Sequence, residues 1–177
     1  VTAPTLRRTI LASDARLSVR LRDLAARSAW LRRAAIPLAR SGDAWLWLTA
    51  AGVLAAIGGA SARRQAVRVA IALIATGLAV RVAKRLTRRE RPVGEWGGSY
   101  RRRDPHAFPS GHSARAALLA VLGFALGPSW LGMLLATWAP LVALSRVALG
   151  VHYLSDVIVG VLVGFGCGLA ALALAGC

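Results

Sequence analysis

At 177 residues, 56% hydrophobic and with a formal charge of +16, this chain combines properties that soluble basic domains seldom share. Its length allows about one domain, and its charge is segregated. Residues 1–42 hold nine arginines against Asp14 and Asp23, and residues 84–111 hold eight Lys/Arg against three acids, with long uncharged stretches between. The pattern argues against nucleic acid as a partner, since no recognition motif accompanies the arginines, and reads as an integral membrane protein with basic surface segments.

In chain order, residues 1–42 form the first region. Ile10, Leu17, Leu24, Leu31 and Leu38 recur every seven residues, Leu21 and Ala35 widen the stripe, and arginines fill the other faces. One amphipathic helix over residues 5–40 is expected, lying flat on a membrane with anionic headgroups, because arginine at a bilayer centre costs about 2.5–3.5 kcal/mol on insertion scales. A helical dimer seam is the alternative and leaves a homodimer open. Pro37 and Ser41-Gly42-Asp43 are expected to break that helix. Val1 to Arg8 is followed by no apolar core of the kind a secretory signal needs.

Residues 43–177 form the second region, an all-α, polytopic transmembrane bundle of about five spans. These fall near Ala44–Ala60, Ala66–Ala83, Ser113–Leu126, Trp130–Leu149 and Tyr153–Ala175; a span needs about 20 residues. The third is the weakest, with Arg115 near its start, where a long cationic side chain reaches the water boundary. Trp45, Trp47 and Trp130 suit interfacial positions, and Pro140 is expected to kink the fourth span. Gly160, Gly164 and Gly168 repeat every four residues on the last span, which suits close helix packing or simply reflects the frequency of glycine in membrane helices. Cys167 and Cys177 stand at no metal-ligand spacing.

Three clusters between these spans carry the chemistry: Lys84-x6-Arg91-Pro92, Pro109-Ser110-Gly111-His112, and Ser145-Arg146-x5-His152-x3-Asp156. They supply two histidines, a carboxylate and three cations. Those are the parts for phosphoryl transfer without a metal or other cofactor, because the reaction needs a nucleophile, a proton donor and fixed cations for charge spread over the equatorial oxygens. Counting spans brings all three to one membrane face. His106 has no partner at a useful spacing and reads as structural. Arg85, Arg88, Arg89 and Arg101 to Arg103 read as surface charge for anionic headgroups. Trp96, Gly97 and Gly98 suit an interfacial loop over the site or a plain connector.

These motifs, with their order and spacing, resemble the type 2 phosphatidic acid phosphatase superfamily over roughly residues 44–175. That superfamily includes membrane lipid phosphatases, undecaprenyl-diphosphate phosphatases, glucose-6-phosphatase and soluble vanadium haloperoxidases. The resemblance implies an integral membrane enzyme, most simply of a bacterial inner or plasma membrane, acting on a lipid phosphate. It implies His152 as nucleophile, and chemistry agrees. Asp156, four residues on, would orient the imidazole. His112 would protonate the leaving group and then activate water. Lys84, Arg91 and Arg146 would bind phosphoryl oxygens, with Ser110 and the Gly111 N–H as neutral donors at a helix start.

Many membrane relatives have six spans; here the arginine-rich segment takes the place of the extra helix. Counting Lys/Arg puts the active site on the cytoplasmic face, whereas the resemblance implies an outward-facing one. A phosphotransferase using the same phosphohistidine is the nearest rival function, and a non-enzymatic membrane anchor is the more distant one.

Overall fold

The protein was analysed as a computed structural model that describes residues 3–93, 102 and 104–176. Among them are seven helices: α1 (Ala3–Ala26), α2 (Ala29–Ser41), α3 (Ala44–Ile57), α4 (Ala60–Thr87), α5 (Gly111–Leu126), α6 (Ser129–Ala148) and α7 (Leu154–Leu174). Trp96, Gly97, Gly98, Arg101, Arg103 and Cys177 lie outside the described residues, and Arg102 is exposed.

The expected N-terminal helix is in fact two. It breaks at Arg27–Ser28, where Ser28 takes an extended conformation as the cap of α2, and Pro37 lies inside α2 instead of ending it. The face of α1 turned inward carries Asp14, Ser18, Leu21 and Arg22, while Ile10, Leu17 and Leu24 of the heptad stripe are exposed. Leu21 packs with Ala143, Val147 and Val157 at the joint of α6 and α7. On α2, Ala35 and Ala39 pack on Leu149 and Val151.

Helices α4, α6 and α7 are long and apolar enough to cross a membrane; α3 and α5 are apolar but shorter. At 28 residues and 1.5 Å per residue, α4 runs about 42 Å, beyond the ~30 Å hydrocarbon core. Sixteen residues give α5 only about 24 Å. Apolar side chains cover the outside of the long helices, as in Ile71, Ile74, Leu78 and Val82 on α4 and Leu162, Phe165 and Leu169 on α7. Water would penalise that surface; lipid tails do not. The interior is held by Leu73, Leu118, Leu119, Leu122 and Leu135.

Helix α5 is the centre of the bundle, with its most extensive contacts to α6 and α7. The glycine stripe explains how α7 comes so close. A Cβ on Gly160 would lie 2.5 Å from the Ser110 carbonyl oxygen, one on Gly164 would collide with the Ala114 carbonyl, and one on Gly168 would meet Val121 at 2.8 Å. Close packing is therefore what these glycines do. The consequence is positional: the N-termini of α5 and α7 are pressed together, and Ser110 N–H donates to the Asp156 carbonyl oxygen at 2.9 Å.

Toward the opposite end, α3, α4, α5 and α6 line a partly open apolar pocket of about 190 Å³, bordered by Trp47, Leu54, Val69, Leu122 and Leu135. Trp47, near the start of α3, is partly buried. Its ring packs on Trp138 with centroids 5.1 Å apart, and its indole N–H donates to the Ser41 carbonyl at 2.7 Å. Trp45 and Trp130 are exposed.

Candidate active site

The three sequence clusters meet at one end of the bundle, where α4 and α6 finish and α5 and α7 begin. Arg88 leaves α4 in the left-handed region, φ 48°, and turns the chain back over the helix ends. Residues 89–91 then lie along residues 104–107: the Ala107 N–H donates to the Arg89 carbonyl at 2.7 Å, and Glu90 pairs with His106 in an antiparallel bridge. His106 thus serves through its backbone, its carbonyl accepting from Lys84 Nζ at 2.9 Å. This clip also delivers Asp104, which sequence reasoning did not single out. Its carboxylate pairs with Lys84 and with Arg91 Nη2 at 2.9 Å.

The second turn follows α6. Gly150 has φ 64°, a conformation open to glycine at little cost, and a Cβ there would strike Arg22 Cδ of α1 at 2.8 Å. The turn drops His152 into the interior, 2% exposed, beside Arg146 at 1% and Asp156 at 0%. Arg91 Nη1 reaches both the Val151 carbonyl, at 2.9 Å, and His152 Nε2, at 3.1 Å. A guanidinium only donates, so Nε2 is the accepting nitrogen and the proton resides on Nδ1. Burial pushes the His152 imidazole well below its usual value, and the positive charges of Arg91, Arg146 and Lys84 push it further, with His112 adding to them. Both effects favour the neutral ring, whose Nε2 lone pair is aimed at Arg91.

Behind His152, the Asp156 carboxylate is committed elsewhere. Oδ2 accepts the Tyr153 N–H at 2.8 Å, capping α7, and Oδ1 accepts from Arg89 Nη1 at 2.7 Å. The separation from His152 Nδ1 to Asp156 Oδ2 is 3.5 Å, so the two share one face as expected, in looser contact than a closed hydrogen bond. Catalytic contacts of this kind commonly tighten around the reacting group. Arg89, expected as surface charge, is instead an internal strut; Arg85 and Arg88 are exposed.

His112 sits in the first turn of α5. Its Nε2 lies 2.8 Å from Asp43 Oδ1, on the loop between α2 and α3. The hydrogen bond to His112 holds the Asp43 carboxyl below its usual value despite burial, with Arg146 and Arg115 adding positive charge. The loop rests directly on the ring, since a Cβ on Gly42 would lie 3.2 Å from His112 Cδ2. Arg115 Nε donates to the Gly42 carbonyl at 3.0 Å. Ser110 is fully buried and caps α5, its Oγ accepting from Ser113 Oγ at 2.9 Å. Gly111 follows at the helix start, with no side chain to cover its N–H. Among the described residues no three His, Cys, Asp or Glu side chains group as metal ligands.

Every sequence-predicted site residue is therefore at this end of the bundle: Lys84, Arg91, Ser110, Gly111, His112, Arg146, His152 and Asp156. Sequence reasoning missed Asp14, Asp43, Arg89 and Asp104. Comparison with solved structures finds the same fold in the first transmembrane PAP2 type phosphatidylglycerolphosphate phosphatase from Bacillus subtilis, at TM-score 0.76 and 21% identity, covering 95% of this chain and 87% of that one. Aquifex aeolicus LpxE aligns at TM-score 0.72 and 22% identity, covering 89% of this chain and 93% of that one. Residues 65–176, which hold all three clusters, match the PAP2 superfamily, and the chain belongs to it.

Proposed function

We propose that this protein is an integral membrane phosphatase that hydrolyses a lipid phosphate monoester or diphosphate through a phosphohistidine on His152, without a metal. The observation that carries the reading is the state of His152: buried, neutral, with Nε2 facing Arg91 at 3.1 Å and Nδ1 turned to Asp156. An imidazole so held is a nucleophile aimed at whatever anion the cations bind.

In this reading, phosphoryl oxygens draw Arg91 off Nε2 and compete with Asp104 for Lys84 and Arg91. Nε2 attacks phosphorus, the P–O bond to the leaving group breaks, and His112 protonates the departing oxygen. Asp156 stabilises the positive charge on the ring. Water then attacks phosphorus, His112 takes its proton, the N–P bond breaks, and inorganic phosphate leaves with His152 neutral again. For His112 to donate from Nδ1 while Nε2–H stays on Asp43, the ring must carry both protons when it meets the leaving group.

A lipid substrate suits a site at the end of a bundle whose outer surface is apolar, with the tail alongside the helices and the phosphate in the basic pocket. Isoprenyl phosphates and diphosphates, phosphatidic acid and phosphatidylglycerol phosphate are the candidates; the Bacillus subtilis neighbour is named for the last of these. The test is phosphate release by purified protein in detergent, across a panel of these lipids, with chelator present and His152→Ala alongside. Chelator-resistant release that disappears in His152→Ala is expected. Release that needs a divalent cation, or that survives in the variant, contradicts the mechanism.

A further inference from the structure

Helix α1 meets the site at a connection that the proposed mechanism leaves unused. Asp14 Oδ2 accepts from Arg89 Nη2 at 2.7 Å, and the same guanidinium donates through Nη1 to Asp156 Oδ1 at 2.7 Å and to Ser155 Oγ at 2.6 Å. The Arg89 guanidinium also lies over the Tyr153 ring, 4.1 Å from its centroid. A planar fork gripped on both edges and one face has little freedom left. These groups are out of bulk water: the Arg89 side chain is 19% exposed, that of Asp14 is 9% and that of Asp156 is 0%.

We propose that Asp14 is a positioning residue for catalysis: it fixes Arg89, Arg89 fixes Oδ1 of Asp156, and the carboxylate plane so set decides whether Oδ2 can receive the His152 Nδ1–H as the ring gains charge. The geometry leaves Oδ2 at 3.5 Å from Nδ1, so the contact must close during the reaction, and small errors in carboxylate angle decide the closing. Misplacement of a reacting group by about 1 Å is worth roughly a hundredfold in rate. The proposal rests on His152 being the nucleophile.

Asp14 also does structural work, accepting the Ser155 N–H at 3.0 Å, while Ser18 Oγ accepts the Leu154 N–H at 2.8 Å. Together they cap the first turn of α7 and dock α1 upon it. The two roles separate by substitution. In Asp14→Asn the amide oxygen still accepts from Ser155, but the charge that holds Arg89 is gone. Ser18→Ala removes a cap of the same helix without touching Arg89.

The experiment is steady-state kinetics on the full chain in detergent micelles, using the lipid phosphate it hydrolyses fastest, with melting temperatures in parallel. Asp14→Asn is expected to lower kcat roughly ten- to a hundredfold with KM within about twofold, and Ser18→Ala to lower the melting temperature with kcat within about twofold. Arg89→Lys, which keeps the charge but loses the fork, should match the kcat loss of Asp14→Asn. The double variant Asp14→Asn/Arg89→Lys should lose no more than the worse single, because both act through one connection. Unchanged kcat in folded Asp14→Asn, or multiplicative losses in the double variant, overturns the proposal. If Asp14→Asn does not fold, unchanged kcat in Arg89→Lys does so. His152→Ala separates the two layers: full turnover there removes the nucleophile reading itself, whereas its loss beside an unimpaired Asp14→Asn removes only the role of Asp14.

Discussion

His152 and His112 each have an aspartate within reach, but the two pairs are held in different ways. His152 and Asp156 are almost fully buried, at 2% and 0% side-chain exposure, and the carboxylate is tied by a backbone N–H and by Arg89 before it meets the ring. His112 and Asp43 are more open, at 13% and 31%, and Asp43 comes from the connection between α2 and α3. The first pair is built on packed helix ends, the second on a helix facing a loop. A nucleophile must hold its angle to phosphorus, which favours the rigid setting. A group that exchanges protons with a leaving group and then with water needs access to both, which favours the open one.

That contrast predicts unequal losses. His152→Ala should abolish turnover to background, a fall of about 10⁴-fold or more, whereas His112→Ala should retain slow release, with a loss of about 10²–10⁴-fold. Equal losses would erase the distinction. Asp156→Asn should cost about 10³-fold in kcat, as removal of tautomer-orienting carboxylates does elsewhere. Asp43→Asn should cost only roughly tenfold, equivalent to about 1.4 kcal/mol of barrier, because an amide oxygen still accepts from Nε2–H. A larger loss from Asp43→Asn than from Asp156→Asn would invert the account.

The smallest effect is on stability. The Asp43 carboxyl lies below its usual 3.8 in the folded protein, so the stability it contributes is complete above that value and is lost as pH falls through the folded one. The difference in melting temperature between wild type and Asp43→Asn should hold steady from neutral pH to about pH 5, then shrink below about pH 4. A difference that grows on acidification would mean that the carboxylate is strained instead of stabilised.

Much of the site was legible because its residues stand at fixed spacings about helix ends. His152 and Asp156 are one turn apart, Ser110 and His112 open α5, and Lys84 and Arg91 straddle the end of α4. The apolar runs located all five bundle helices to within a few residues, apart from the start of α4 at Ala60. What escaped was the set of partners supplied from elsewhere. Asp14 reaches Ser155 across 141 positions and Asp43 reaches His112 across 69, separations that no periodicity records. A usable signal did exist: the chain has only seven acidic residues, and in an apolar, basic protein each carboxylate needs a reason. Asp14 borders the apolar stripe of α1, one turn after Ile10 and one turn before Ser18. Arg89 was misjudged because arginines in a run look alike until the turn at Arg88 sends one inward.

The most direct test of the central claim is to quench the enzyme rapidly during turnover of a phosphorus-labelled lipid phosphate and locate the label. The account predicts an acid-labile, base-stable phosphoenzyme on His152, absent from His152→Ala. Label on any other residue, or turnover in single-turnover conditions with no labelled protein at all, would contradict it.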